Sequence, residues 1–364
     1  MHLLYSLKEK MMILKKYFFS LVFLGLSMTI GAQDPHFSQF FASPSTLNPA
    51  YVGTFSGSYR ISSIYREQWR SALEDPLTTF IAAGDVKFPL GEVRNTNPDI
   101  VGAGIMFFSD QVSTFDLNTT QIALTGSYHK SLDNKSKKYL SLGFQGGIMR
   151  RSINYEDLTF QDQWNAINDY SFPTNEYLPQ NNFAIGDFAV GINYFSQPSK
   201  RSSFMLGAGL FHVASPNISF YKYDQSSNID FIKESAYNKK WTAYASYSIQ
   251  TSEIFRIDPR VLLLSQGQHT EIDLGTNFRY YFYSTDATYL NIGPWVRGVK
   301  NDDGFGLESI IASVGIEMSG LQFAFSYDYN IGKLSADRIN MNAFEISISY
   351  IGNYDNESEI CPQF

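Results

Sequence analysis

Beyond residue 33 the chain has no apolar run long enough to cross a bilayer as a helix, yet segment after segment alternates apolar and polar residues with a period of two. In residues 121–129, Ile122, Leu124, Gly126 and Tyr128 share one face, with Gln121, Thr125, Ser127 and His129 on the other. Phe344, Ile346, Ile348 and Tyr350 oppose Glu345, Ser347 and Ser349 in the same way. Such a chain folds as β-structure. A soluble sandwich also alternates, so the period alone specifies strands and not their architecture. If the chain enters a membrane, only a closed barrel pairs every backbone donor and acceptor inside lipid.

The charges favour the barrel. Arg60, Arg66, Asp85, Lys87, Asp187, Asp258, Arg260, Arg297 and Glu345 all fall on the less apolar face of their strands, as expected where the other face meets hydrocarbon and a midplane Arg or Lys costs roughly 2–4 kcal/mol. Glu308 and Glu317 share faces with Ile or Leu and are expected at strand ends; Pro259 and Pro294 are expected at strand starts or bulges. The segmentation predicts about fourteen strands, near 58–66, 78–88, 100–109, 120–130, 138–150, 183–195, 202–214, 240–250, 256–265, 270–282, 288–298, 306–318, 320–329 and 342–351. Connections at 131–137, 196–201, 251–255, 283–287 and 319 are short; those at 151–182, 215–239 and 330–341 are long and fall at the opposite end. The connection at 89–99 fits this sorting less well. Outer-membrane barrels sort their loops in this way, with short periplasmic turns; a sandwich has no reason to.

Residues 1–32 read as a secretory signal peptide: Lys15 and Lys16, an apolar stretch from Tyr17 to Ile30, and a Gly31-Ala32 exit with cleavage after Ala32. Met11 and Met12 precede the lysines, so residues 1–10 read as an extension upstream of the start. The expected layout is a signal peptide at 1–32, an N-terminal periplasmic segment at 33–57, a transmembrane barrel at 58–351 and a tail at 352–364.

Composition removes several function classes. Charged residues make up 17% of the chain against about 25% in ordinary soluble domains. The net charge of -7 argues against nucleic-acid binding, and a single Cys allows neither an internal disulfide nor a Cys-rich zinc site. No enzyme motif survives: Gly53-Thr-Phe-Ser56-Gly57 has the wrong spacing for a nucleophile elbow, and Gly207-Ala-Gly209 is a place of close approach rather than a phosphate loop. His36, His129, His212 and His269 are scattered, with no pair at ligand spacing, so no metal site and no cofactor are expected. His129 and His212 are expected at strand ends near the membrane interface. Cys361-Pro-Gln-Phe364 matches a prenylation box, but an exported chain never meets that cytosolic machinery. Phe364 is a candidate terminal aromatic of the barrel. The 151–182 loop carries Asp157, Asp162, Asp169 and Glu176 among Trp164, Tyr170, Phe172 and Tyr177. Those four aromatics are candidates for outer-loop partner contact, with a solvated cap as the plainer reading.

The segment Gln33-Asp34-Pro35-His36-Phe37-Ser38-Gln39-Phe40-Phe41-Ala42-Ser43-Pro44, followed by Leu47-Asn48-Pro49-Ala50, resembles the opening signature of the PorP/SprF family of type IX secretion system membrane proteins. Tyr65-Arg66-Glu67-Gln68-Trp69, Leu206 to His212 with Pro216 to Phe220, Ser326 to Asn330 with Leu334-Ser335, and Phe344-Glu345-Ile346-Ser347 resemble further family blocks in order. Gly332 departs from the family, where a polar residue often precedes the Leu-Ser pair. The resemblance implies a Bacteroidetes outer-membrane barrel without catalysis. Its implied partners are type IX secretion machinery components, a secreted surface adhesin or other cargo protein, in gliding motility for some members, and outer-membrane lipid. A passive porin or hydrophobic-substrate channel is the alternative function, and a barrel enzyme a distant third. Within the opening segment, Asp34, Pro35, His36, Phe37, Gln39, Phe40, Asn48 and Pro49 are expected at the periplasmic entrance, to plug or brace the barrel from below, bracing being favoured, or to bind a partner there.

Overall fold

The computed structural model describes residues 34–71, 73, 75–90, 98–113, 116–133, 137–156, 158–167, 169–223, 235–282, 288–301, 304–332 and 341–353. The expected signal peptide, Asp157, Leu334-Ser335, Cys361 and Phe364 lie outside these residues.

Among the described residues fourteen strands form: β1 (Tyr59–Gln68), β2 (Leu77–Leu90), β3 (Asp99–Val112), β4 (Leu117–Asp133), β5 (Lys138–Ile153), β6 (Asn182–Ser199) and β7 (Ser202–Phe211). They continue as β8 (Lys240–Gln250), β9 (Phe255–Gln266), β10 (His269–Phe282), β11 (Thr288–Asn301), β12 (Gly304–Met318), β13 (Leu321–Asn330) and β14 (Ala343–Gly352). Each pairs antiparallel with its sequence neighbours, and β1 closes on β14 from Tyr59↔Gly352 to Gln68↔Ala343. The result is a closed barrel with no free edge, not a sandwich.

Its faces are inverted relative to a water-soluble protein. Ile61, Leu124, Ile148, Leu206, Trp241 and Ile316 point outward and are exposed, within a band of apolar side chains that recurs on every strand. In water so large a patch would aggregate; in hydrocarbon it is the expected outer wall. Of the nine charged residues assigned to the polar faces, eight are buried inside and Arg260 is half-buried.

The strand ends joined through 91–98, 134–137, 200–201, 251–254, 283–287 and 319–320 lie at one end of the barrel, here the short-turn mouth. Those joined through the long connections 154–181, 212–239 and 331–342 lie at the other, the long-loop mouth.

Three strand details differ from expectation. Pro259 and Pro294 lie inside β9 and β11, at neither starts nor bulges. The β8–β9 ladder jumps from Ser246↔Arg260 to Ile249↔Ile257 beside Pro259, while Thr276↔Pro259 continues on the other side. Likewise the β10–β11 ladder breaks from Gly275↔Trp295 to Phe278↔Ile292, while Pro294↔Ala312 continues. A residue without an N–H is tolerated where one ladder is already open. Glu308 is not at a strand end: it is the extra residue of a bulge, between Arg297↔Ser309 and Gly298↔Leu307, which re-aims its side chain. Glu317 does sit near the end of β12, facing in, with its carboxylate 2.6 Å from Arg279 Nη2.

Candidate functional site

The stretch expected below the first strand is instead threaded through the lumen. Asp34 is held at the long-loop mouth by His212, Tyr237, Lys240 and Gln266. At the far end, Ser58 N donates to Gly352 O at 2.8 Å at the short-turn mouth, where β1 begins. Residues 34–58 thus form a plug that runs the length of the barrel.

The plug's local structure follows from its sequence. Pro44 and Pro49 open two 3-10 turns, Pro44–Thr46 and Pro49–Tyr51, where a residue with fixed φ and no N–H loses no bond. Asn48 caps the second turn, its Oδ1 accepting from Ala50 N at 2.8 Å. The same side chain donates from Nδ2 to Ile192 O and Ala208 O, at 2.8 and 3.0 Å, and so ties the turn to β6 and β7. Two glycines make room for it. A Cβ on Gly143 would overlap the Pro49–Ala50 backbone, and one on Gly191 would overlap Asn48 Oδ1. Gly207 likewise leaves space for the Tyr51 hydroxyl, the close approach expected of that glycine pair.

Apolar rings fill the centre. Phe40, Leu47 and Tyr51 pack with Ile100, Tyr139, Phe195, Met205, Tyr244, Leu262, Trp295 and Ile311 in one buried cluster. Phe40 meets Trp295 edge to face, with ring centroids 5.3 Å apart. Phe37 joins a second cluster with Ile64, Ile81, Met106 and Ala123. These inward Ile and Leu residues explain why some strands show less polar inner faces: the lumen holds a hydrophobic core of its own.

Polar clamps flank that core. Nearest the long-loop mouth, Glu345 accepts from the backbone N–H groups of Ser38 and Gln39, both at 2.7 Å. Arg66 pairs with Glu345 and, at 3.1 Å, with Asp328. Arg297 bonds Asp328 at 3.0 Å, Asp273 at 3.0 Å and the Ser38 hydroxyl at 2.9 Å. Gln39 donates to Ser326 Oγ at 3.1 Å and accepts from Ser347 Oγ at 2.6 Å. With its amide turned to satisfy its neighbours, Gln68 accepts from Arg66 Nη2 and Nε at 2.6 and 2.8 Å. Toward the short-turn mouth, Val52 O accepts from Ser127 and His129 at 2.7 and 2.9 Å, and Gly53 N donates to Asp85 at 2.9 Å. Asp85 in turn holds Arg60, and Lys87 Nζ donates to Phe55 O at 2.8 Å. Beyond Phe41, Ala42 and Phe55 the plug leaves an open cavity of about 630 Å³, lined by Arg60, Arg256, Asp258, Arg260, Arg279 and Glu317 among others.

His129 and His212 are therefore interior plug contacts, not interface residues. His212 lies between two carboxylates, Asp187 on Nδ1 at 3.0 Å and Asp34 on Nε2 at 3.0 Å. Burial alone would lower its pKa; the Asp34 and Asp187 carboxylates outweigh that and push it up to about 9. Burial likewise works against the charge on Asp34, but His212 and Lys240 hold its carboxyl well below the usual range. Tyr237, buried against Asp34, is held well above its ordinary value and stays neutral.

A group protonated more readily when folded than when unfolded stabilises at low pH and loses that contribution as pH rises through its folded pKa. Between an unfolded value near 6.5 and a folded value of about 9, stability should fall by on the order of 3 kcal/mol. Thermal unfolding in detergent from pH 6 to 10 checks this: the decline should disappear in His212→Gln, and a wild-type melting temperature flat across that window would refute it.

All eight opening-segment residues singled out in the sequence lie within the plug: Phe37, Gln39, Phe40, Asn48 and Pro49 are buried, and Asp34, Pro35 and His36 half-buried. His36 is held neutral, burial pushing its pKa down to about 3 despite Glu271 nearby. It is not isolated, contrary to expectation: His269 and Glu271 come together with it. Nothing local marks this trio, because β10 lies more than half the chain away. The inward charge pattern flagged Arg66, Arg297 and Glu345, but not their common target.

The four loop aromatics lie elsewhere. Trp164, Tyr170, Phe172 and Tyr177 are exposed outside the barrel, with the Trp164 and Tyr170 rings 5.0 Å apart across a β-bridge. Asp162 accepts from the Thr174 hydroxyl at 3.0 Å and from Asn175 N at 2.6 Å, fixing the loop on itself.

Among solved structures the chain is similar to the CymD monoaromatic hydrocarbon channel, at 11% identity over 87% of this chain and 94% of that one, TM-score 0.49. It is also similar to a Pseudomonas aeruginosa FadL homologue, at 11% identity over 83% and 92%, TM-score 0.44. No curated protein matches the sequence. The family described as type IX secretion system membrane protein PorP/SprF matches residues 29–350. That span takes in the plug, its clamps and all but the last two residues of β14, and the chain belongs to the PorP/SprF family of type IX secretion system membrane proteins.

Proposed function

We propose that the protein is a non-enzymatic, plugged barrel of the outer membrane that supports type IX secretion by holding partners at its two mouths. The observation that carries this reading is the occupied lumen: residues 34–58 fill the cylinder with apolar rings and clamped charges, leaving an architecture suited to binding rather than to permeation. The short-turn mouth, with its arginine-lined cavity, faces the periplasm and offers a surface to components of the secretion machinery. The long-loop mouth presents Trp164, Tyr170, Phe172 and Tyr177 to a secreted cargo such as a gliding adhesin, since exposed rings among polar groups suit contact surfaces. In this reading the opening segment braces the barrel rather than docking a partner, because its rings are already satisfied inside.

Capture of the tagged full-length protein from detergent-solubilised outer membranes, followed by mass spectrometry, tests the assignment. A surface adhesin or a machinery component should co-purify. Recovery of neither, from membranes shown to contain both, overturns it.

A further inference from the structure

At the long-loop mouth one residue of the plug and two of the wall converge. Glu271 Oε2 lies 3.3 Å from His36 Nδ1 and 3.2 Å from His269 Nε2, and all three potential ligand atoms fall within 4.8 Å of one another. Two ligands bound to zinc at 2.0–2.1 Å in tetrahedral geometry stand about 3.3 Å apart, so two of the three spacings already suit one ion. The imidazole planes are within 5° of parallel, with centroids 6.2 Å apart, so one ring must turn for the lone pairs of both to meet at a single ion.

The surroundings favour a cation. Arg66 and Arg297 face four carboxylates, Glu271, Asp273, Asp328 and Glu345, in one connected buried network. The carboxylates outnumber the two guanidinium groups, and a bound divalent ion would add positive charge beside them. Arg297 Nε, whose N–H donates to Asp273, also stands 3.1 Å from the other oxygen of Glu271 as an ion pair, leaving Oε2 to the histidines. Such an outer partner is what orients a metal-binding carboxylate. Access is also in place: the His36 and His269 side chains are 22% and 15% exposed, whereas Glu271 is 1%.

We propose that His36, His269 and Glu271 form a binding site for a borderline divalent transition metal, of which Zn²⁺ is the representative, stapling the plug to β10. Two imidazoles and one carboxylate are a nitrogen-rich set that suits zinc and its neighbours and not Ca²⁺ or Mg²⁺, which take oxygen ligands. Three protein ligands leave a fourth position for water. The site is independent of the proposed secretion role, since an ion can hold the plug whatever the barrel's partners.

The test uses the full-length protein carrying no histidine tag, stripped with a chelator in detergent and then given zinc chloride. About one zinc per chain should be retained after desalting, with a rise in melting temperature that the chelator reverses. His36→Gln and His269→Gln should each weaken zinc binding at least about 100-fold, the upper end of what losing an outer-shell partner alone costs, and abolish the rise. Should either variant fold poorly, Co²⁺ added to the wild-type protein gives a second readout: the visible absorption of a tetrahedral His-ligated ion. Zinc retained equally by folded variants, or no retained ion and no cobalt band in the wild type, overturns the proposal.

Discussion

Deletion of residues 34–57 should convert a barrel that passes no steady current in a planar bilayer into an open pore. The wall does not depend on the plug for its backbone bonding, since every strand, including β1 against β14, is paired with two others. The lumen does depend on it: removing the plug strips Phe37, Phe40, Leu47 and Tyr51 from the interior and leaves Arg60, Arg66, Asp85 and Glu345 facing an emptied space that water can enter past the inward Ile, Phe and Trp side chains of the wall. Gly191→Val supplies a milder version. Its side chain would occupy the place of the Asn48 amide, so the middle of the plug could no longer seat and the channel should flicker open while the whole chain remains. A folded deletion variant with no conductance would show that something other than residues 34–57 seals the cylinder. A steady open pore in the wild type would remove the basis for reading the lumen as blocked and restore the channel alternative.

Arg66→Met should destabilise the protein by about 3–5 kcal/mol, the range for removing one partner of a buried ion pair. Arg66 is the cation paired with Glu345, and Glu345 in turn holds the Ser38 and Gln39 backbone. Taking away the guanidinium leaves that carboxylate buried without a countercharge, while Asp328 keeps Arg297. Thermal or denaturant unfolding measures the loss. Arg66→Met combined with Glu345→Leu should recover part of it, because the stranded charge is then gone even though the clamp on Ser38 and Gln39 is lost as well. If the double variant is no more stable than Arg66→Met, the clamp itself and not the unpaired charge dominates.

The wall was legible in the sequence because period-two alternation is local: Ile122, Leu124 and Tyr128 report their face within one strand. Loop lengths were legible for the same reason. What fills the wall was not. Ser38 and Gln39 find Glu345 more than 300 residues away, and Asn48 reaches Ile192 and Ala208 across 144 and 160 residues. No periodicity encodes such meetings. The phenylalanines and prolines near residue 40 signalled a segment that wanted cover, but the place expected for it was the entrance, plugging or bracing from below, and not the full length of the interior. Glu308 was misplaced because a bulge changes facing by one residue without changing composition, and the two in-strand prolines because a ladder can open beside them with its register unchanged. The family blocks look unrelated along the chain. In three dimensions Arg66, His212, Ser326, Asp328, Glu345 and Ser347 all grip the opening segment.

The Arg66–Glu345 pair carries a consequence for the closed sheet. It spans the junction where the first strand meets the last, and both side chains also grip Ser38 or the residue after it. The seam of the cylinder is therefore riveted from within as well as laced by its backbone, so that prying the opening stretch loose and parting the terminal strands would disturb the same few charges.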